Sequence, residues 1–252
     1  MLTYTVKLSC GLGNHLFQIA SVWAIAEEHG ARFVLERKKI PPPGHTTKVY
    51  TDLYAPFVTD EEVAWVETYH EPAHCEATRM RIPPRDRNCV FVGYFQSALY
   101  LDVPMVKWWL PTPDRNGDVY LHIRLGDYTQ DPLHAADLRR YYTDCLAQVP
   151  SGTRVRIVTN DKEEAARAYP DLWDLLPLAE FEDEDDPLGI IQRMAGGRGV
   201  ICANSTFSWW AAYLGHATRE DFMAFVPGTW FMDGGVTYAG DFGFPGSRVV
   251  AI

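Results

Sequence analysis

Tyr4-Thr5-Val6-Lys7-Leu8 alternates apolar and polar side chains, Gly11-Leu12-Gly13 interrupts the run, and an amphipathic stretch over 16–28 leads to Gly30. The first is the pattern of a strand, the third that of a helix, and Gly30 is a helix stop. Arg32-Phe33-Val34-Leu35-Glu36 predicts the next strand. A strand, a glycine turn, a helix and a second strand open a Rossmann-like parallel sheet.

Further along, 50–84 carries Pro56, Pro72 and the pair Pro83-Pro84, and is expected to form helices and loops. Val90-Phe91-Val92-Gly93-Tyr94 predicts a strand. The stretch 110–118, rich in Pro, Gly and Asp, is the linker candidate, so domains are expected over 1–113 and 114–252. The second half alternates again: strand 119–124, helix 137–148, strand 155–159, helix 161–168, and strand 199–203 running into a helix over 206–214. Two α/β halves around a linker are expected to face a central cleft.

The chain has 252 residues, enough for two such halves. Its formal charge of −10 argues against a broad nucleic-acid or anionic-membrane surface, which calls for a basic face. The five cysteines, Cys10, Cys75, Cys89, Cys145 and Cys202, are odd in number and show no C-x-x-C pair, so neither a disulfide framework nor a zinc site is expected. No apolar run approaches the roughly 18 residues of a membrane span, and the start lacks the cationic opening of a signal peptide. A soluble, cytoplasmic protein is the default expectation.

Three clusters carry chemistry. In Ala203-Asn204-Ser205-Thr206-Phe207-Ser208-Trp209-Trp210, hydroxyl residues sit where a strand passes into a helix. Such residues cap helices, and a capped N-terminus with unpaired N–H groups is a phosphate site; by itself the pattern fits an ordinary capped helix as well. In His122-Ile123-Arg124-Leu125-Gly126-Asp127-Tyr128, His122 and Arg124 share one strand face at its carboxyl end. An Arg there suits a diphosphate, or equally a structural pair with Asp127. In Gly11-Leu12-Gly13-Asn14-His15, the glycines admit a ligand to the backbone, with Asn14 and His15 at the mouth of the turn. His15 is a candidate base, or a residue that only packs. The acidic run Glu182-Asp183-Glu184-Asp185-Asp186 contains a D-x-D pattern that could hold a metal, but its continuity reads as a solvated loop.

Together and in this order, the clusters resemble the α-1,2-fucosyltransferase family, glycosyltransferase family 11. That family shows a GLGNQLFQ-like opening, an HxRRGDY strand end and an NSTFSWWAA turn; this chain reads GLGNHLFQIA from Gly11, HIRLGDY from His122 and ANSTFSWWAAYLG from Ala203. Gly93-Tyr94-Phe95-Gln96-Ser97, Val158-Thr159-Asn160-Asp161 and Pro227-Gly228-Thr229-Trp230-Phe231 resemble further family segments. The resemblance implies a GT-B-like fold, two Rossmann-like α/β domains facing a central cleft. It implies inverting transfer of fucose from GDP-fucose, as co-substrate, to a galactose-containing glycan, with no cofactor and no metal.

Carried over by position, Arg124 would bind the pyrophosphate, Ser205, Thr206 and Phe207 the β-phosphate and nucleotide side, and His122 would line the nucleotide cleft. Gly13, Asn14, Asn160, Asp161 and Asn204 complete the expected donor set. His15 and Asp127 are the first and second candidates for the base, Asp127 alternatively holding the turn after Arg124. The chain departs from the family at Leu125, where a second Arg is usual, at His15, usually Gln, and at Ile190, usually acidic, for which Asp186 one turn earlier is a substitute. Alternatives are another GDP-sugar donor of the rhamnose or mannose type, a metal-dependent transferase using Asp183 and Asp185, and a non-catalytic glycan- or nucleotide-binding relative.

Overall fold

The computed structural model describes residues 1–41, 51–72, 82, 84–111, 113–176, 180–181, 186–232 and 242–252. The chain divides into two compact units, Met1–Pro111 and Thr112–Ile252.

In the first unit the elements are β1 (Thr3–Val6), α1 (Leu12–Glu28), β2 (Arg32–Phe33), β3 (Leu35–Glu36), α2 (Thr51–Tyr54), β4 (Val58–Thr59), β5 (Glu67–His70), β6 (Cys89–Val92) and α3 (Val103–Trp109). A parallel sheet runs β2-β1-β6-β5, and β3 and β4 form a separate parallel pair. Tyr4 of β1 packs on Phe91 of β6 at 5.2 Å, and both, with Leu16, Phe17 and Ile19 of α1, are closed to solvent. Helix α1 ends as its sequence predicts: Gly30 takes φ +64°, and the N–H of Ala31 reaches back to Ala26 O at 2.9 Å.

Three expectations for this unit are corrected. The helix begins at Leu12 rather than 16, with Gly11 as N-cap, so Gly13 lies inside its first turn and not in a loop. A glycine this near a helix start costs about 1 kcal/mol or less, which the buried face of α1 offsets. The strand over 32–36 is two strands: Val34 N–H bonds Tyr4 O at 2.9 Å and Leu35 N–H turns to Phe57 O at 2.8 Å, so the chain changes sheets between them. The stretch 50–84 contains strands β4 and β5. Strand β5, Glu67-Thr68-Tyr69-His70, lies at a sheet edge and only half-buries alternate residues, so it shows no apolar period.

The second unit contains β7 (Val119–Ile123), α4 (Asp127–Gln130), α5 (Arg139–Leu146), β8 (Val155–Thr159), α6 (Lys162–Ala168), α7 (Pro170–Leu175), β9 (Glu180–Phe181), α8 (Pro187–Gly196), β10 (Gly199–Ile201), α9 (Thr206–Thr218), β11 (Met223–Pro227) and β12 (Arg248–Val250). Its sheet is parallel throughout, in the order β12-β11-β10-β7-β8-β9. From β7 the chain winds outward through β8 and β9, then returns to the other side of β7 and winds through β10, β11 and β12. The reversal lies between β7 and β10, where the loops leaving their carboxyl ends turn apart; such a switch point is where doubly wound sheets open a binding crevice.

Packing explains the aromatic end of the Asn204–Trp210 stretch. Trp209 and Trp210 are fully buried, Trp209 stacks on Tyr213 at 5.0 Å, and its indole N–H donates to Phe242 O at 2.6 Å. They seat α9 against the sheet, so its N-terminus is held at the end of β10. Among the described residues no helix is long and apolar enough to cross a membrane.

Candidate active site

The loops after β7 and β10 bring two of the expected clusters together. The Arg124 guanidinium is held between Asp127, at 2.5 Å from Nη2 to Oδ1, and the face of Tyr128, at 4.8 Å. Burial pushes the Tyr128 phenol up from its ordinary range, opposed by Arg124 and by hydrogen bonds to Ser205 and Arg124. Tyr128 therefore stands beside both Arg124 of the β7 loop and the cap residue of α9. Ser205 is that cap, its Oγ accepting the Phe207 N–H at 3.4 Å. Thr206, Phe207 and Ser208 form the first turn, whose N–H groups precede any helical carbonyl and point toward the cap. Arg124, Ser205, Thr206 and Phe207 thus share one corner, a guanidinium beside a positive helix end, which is the chemistry of an oxyanion or phosphate site.

His122 does not line open space. It is buried against the Phe207 ring at 5.5 Å, and burial, with Arg124 nearby, lowers its pKa to about 3. It is a neutral imidazole supporting Phe207.

Three expected donor contacts are engaged within the protein. Asn160 takes both polar groups of Leu125: its Oδ1 accepts the Leu125 N–H and its Nδ2 donates to Leu125 O, each at 2.9 Å. Asp161 caps α6 through the Glu164 N–H at 2.8 Å, and Glu164 in turn accepts the Gly126 N–H at 3.2 Å. Nδ2 of Asn204 donates to His134 O at 3.0 Å and Trp230 O at 3.1 Å. These side chains fix the turns that carry Arg124 and Ser205. Leu125, at the place of the second cation, points into the core.

In the first unit, reading Gly13 as a loop glycine with Asn14 and His15 at the mouth of the turn is corrected. All three lie in the opening turns of α1, and His15 is fully buried with Nδ1 2.7 Å from the Tyr54 hydroxyl. Burial lowers its pKa to about 4. Enclosed in this way it does not face solvent as a base must. Asn14 accepts a hydrogen bond from Gln96 at 2.6 Å. Gln18 ties the ends of β1 and β6 together, accepting from the Ser9 N–H and donating to Ser9 Oγ and Gly93 O at 2.9 to 3.0 Å.

Asp186 precedes α8 and its carbonyl accepts the Ile190 N–H at 2.9 Å, so the two residues are one helical turn apart as expected. The D-x-D carboxylates Asp183 and Asp185 lie outside the described residues. Tyr128 and the Asp131–His134 pair beside it were missed by the sequence reading. Tyr128 stands inside a quoted motif, while Asp131 and His134 show only an i, i+3 spacing.

Comparisons with known proteins agree with this class of fold. No family model matches the chain. The O-antigen biosynthesis glycosyltransferase WbnK of Escherichia coli is 30% identical over 118 residues, 44% of this chain. The match spans 38% of the length of WbnK. The crystal structure of NodZ α-1,6-fucosyltransferase soaked with GDP-fucose superposes with a TM-score of 0.52 at 11% identity, covering 84% of this chain and 92% of that one. The E. coli heptosyltransferase WaaC with ADP aligns with a TM-score of 0.49 at 14% identity, over 100% of this chain and 93% of WaaC. The chain has an α/β fold of parallel sheets and helices, and this is the fold it shares with the NodZ structure.

Proposed function

We propose that this chain is an inverting fucosyltransferase that moves L-fucose from GDP-fucose to a hydroxyl of a glycan, galactose O2 being the acceptor position that the motif resemblance favours. The observation that carries the reading is the meeting of Arg124 and the Ser205 cap of α9, through Tyr128, at the strand-order reversal of the second unit. The likeness to glycosyltransferases, including a GDP-fucose-soaked fucosyltransferase structure, supports it.

As the C1–O bond of the donor breaks, its electron pair stays on the β-phosphate oxygen. Arg124 and the positive N-terminal end of α9 at the Ser205 cap meet that charge. Asp127 orients the guanidinium, and Asn160, Asp161 and Asn204 hold the turns on which the corner stands. The acceptor hydroxyl attacks C1 from the opposite face and its proton passes to solvent water, so β-linked fucose becomes α-linked. No cofactor or metal enters this scheme.

Incubation with GDP-fucose and a glycan array, with the product linkage assigned by NMR, tests it. An α-1,2-fucosylated galactose is expected. Turnover of GDP-mannose or a GDP-rhamnose in preference to GDP-fucose overturns the donor, and GDP binding with no transfer to any glycan overturns the catalytic reading.

A further inference from the structure

Between α4 and α5 the chain makes a turn that this chemistry does not use. Asp131 accepts the Leu133 N–H at 2.9 Å through one carboxylate oxygen, and the other lies 2.7 Å from Nδ1 of His134. The N–H groups of His134 and Ala135 also reach the Asp131 carbonyl, at 2.9 and 3.0 Å. The imidazole is thereby oriented with Nδ1 toward the carboxylate and Nε2 presented as its second proton site, the arrangement of a histidine held by an orienting acid.

Several ties bring this ring to the Arg124–Ser205 corner. It packs on Tyr128, ring centroids 4.5 Å apart, and the same Tyr128 ring carries the Arg124 guanidinium. Asn204, immediately before the cap residue Ser205, donates to the His134 carbonyl. Phe231 stands edge-on to the imidazole at 5.4 Å. The side chain remains 23% exposed, so a ligand can reach it.

Two considerations assign its task. In an inverting displacement the attacking hydroxyl and the departing diphosphate occupy opposite faces of the sugar carbon, so a proton-bearing group tied to the phosphate corner serves the leaving group. Arg124 already answers the charge of Asp127, leaving a diphosphate only part of its cation.

We propose that His134, held by Asp131, is a further catalytic residue: when a sugar diphosphate binds, the imidazole takes up a proton, donates its Nε2–H to the β-phosphate, and meets the electron pair left there as the C1–O bond breaks. This rests on the donor reading above. The proton comes from solvent on binding, and the diphosphate departs with the bonding pair. Among the described residues, the groups facing His134 are Asp131 on its own turn and Tyr128 of α4, with Arg124 and Asp127 beyond Tyr128; Asn204 and Phe231 add no charge.

Calorimetric titration of GDP-fucose into the protein at about pH 8, in two buffers of different ionisation enthalpy, counts the protons taken up. The phosphates of this diester carry no titrating proton in that range, so the change belongs to the protein. Wild type is expected to take up a fraction of a proton. His134→Gln should take up none and bind about tenfold more weakly or worse. Asp131→Asn, which keeps the ring, should show reduced uptake. Equal uptake in wild type and His134→Gln, at matched melting temperatures, overturns the role of His134 and leaves the donor reading standing. If His134→Gln melts early, undiminished uptake in Asp131→Asn overturns the pair. Failure of wild type to bind GDP-fucose overturns the donor reading, and this proposal with it.

Discussion

At Arg124 one guanidinium serves an acid, an aromatic face and, in the proposed reaction, a diphosphate. Asp127 holds it at 2.5 Å and Tyr128 at 4.8 Å, so its position is set before any ligand arrives. Preorganised charge of this kind is the largest lever on a leaving group. Arg124→Ala is therefore expected to lower kcat by at least ~10²-fold, read in a GDP-release assay, and wild-type turnover would remove Arg124 from the mechanism. Arg124→Lys should recover little, because an ammonium cannot span acid, ring and phosphate as a fork does. His15→Gln should turn over at roughly the wild-type rate with the same pH profile, since the ring it replaces is enclosed against Tyr54. Arg124 and Ser205 were legible as candidates because their types and places at strand ends point to anions. The assignments of Asn160 and Asn204 were not, because the groups they bond stand 35 and 70 residues away or nearer in number.

At the scale of elements, the turn from β7 into α4 carries the site and is held by α6 and its approach. Gly126 has φ +69°, and a Cβ there would lie 2.7 Å from Asn160 Nδ2. Gly126→Ala is expected to cost about 1–3 kcal/mol through strain and the displaced clamp, with the loss measured by urea unfolding. Asn160→Ala removes both hydrogen bonds to Leu125 and should cost about 2 kcal/mol, lowering kcat although its side chain is engaged with backbone rather than donor. An unchanged kcat in a folded Asn160→Ala would show that the turn holds its place without this residue. The centres of β1, β6, β7, β8, β10, α5, α6 and α9 were visible as periodicity, and those of α3, α7, α8, β11 and β12 were not. The start of α1 and the strand β5 were not, because a glycine cap and a half-exposed edge strand leave no apolar pattern.

For the whole molecule, two histidines buried among the described residues make stability depend on acid. His15 and His122 are held neutral by burial, with pKa values of about 4 and about 3. The unfolded chain, with ordinary histidines near 6.5, binds their protons first, so stability rises with pH and is lost as pH falls from about 6.5 toward 4 and then 3. The full loss is of order 3 kcal/mol for His15 and about 5 kcal/mol for His122, against a typical total of about 5–15 kcal/mol. Urea midpoints should fall between about pH 7 and 5, and less steeply in His15→Gln; a flat profile across that window would contradict the neutral burial of both rings. Activity is expected to persist in EDTA, because Arg124 and the α9 N-terminus meet the leaving-group charge. Loss of activity there would restore Asp183 and Asp185 as candidates.

By itself the sequence determined the α/β alternation, the helix stop at Gly30 and the residue types at the strand ends, because these depend on local periodicity and turn chemistry. Only the tertiary structure decided that β7 and β10 are neighbours at a reversal of strand order, that His15 is enclosed, and that Tyr128 stands beside both Arg124 and Ser205 with His134 alongside. Strand order and the partners of polar side chains are set by contacts between segments far apart in the chain. A pattern of period 2 or 3.6 records which face is buried but not what lies against it.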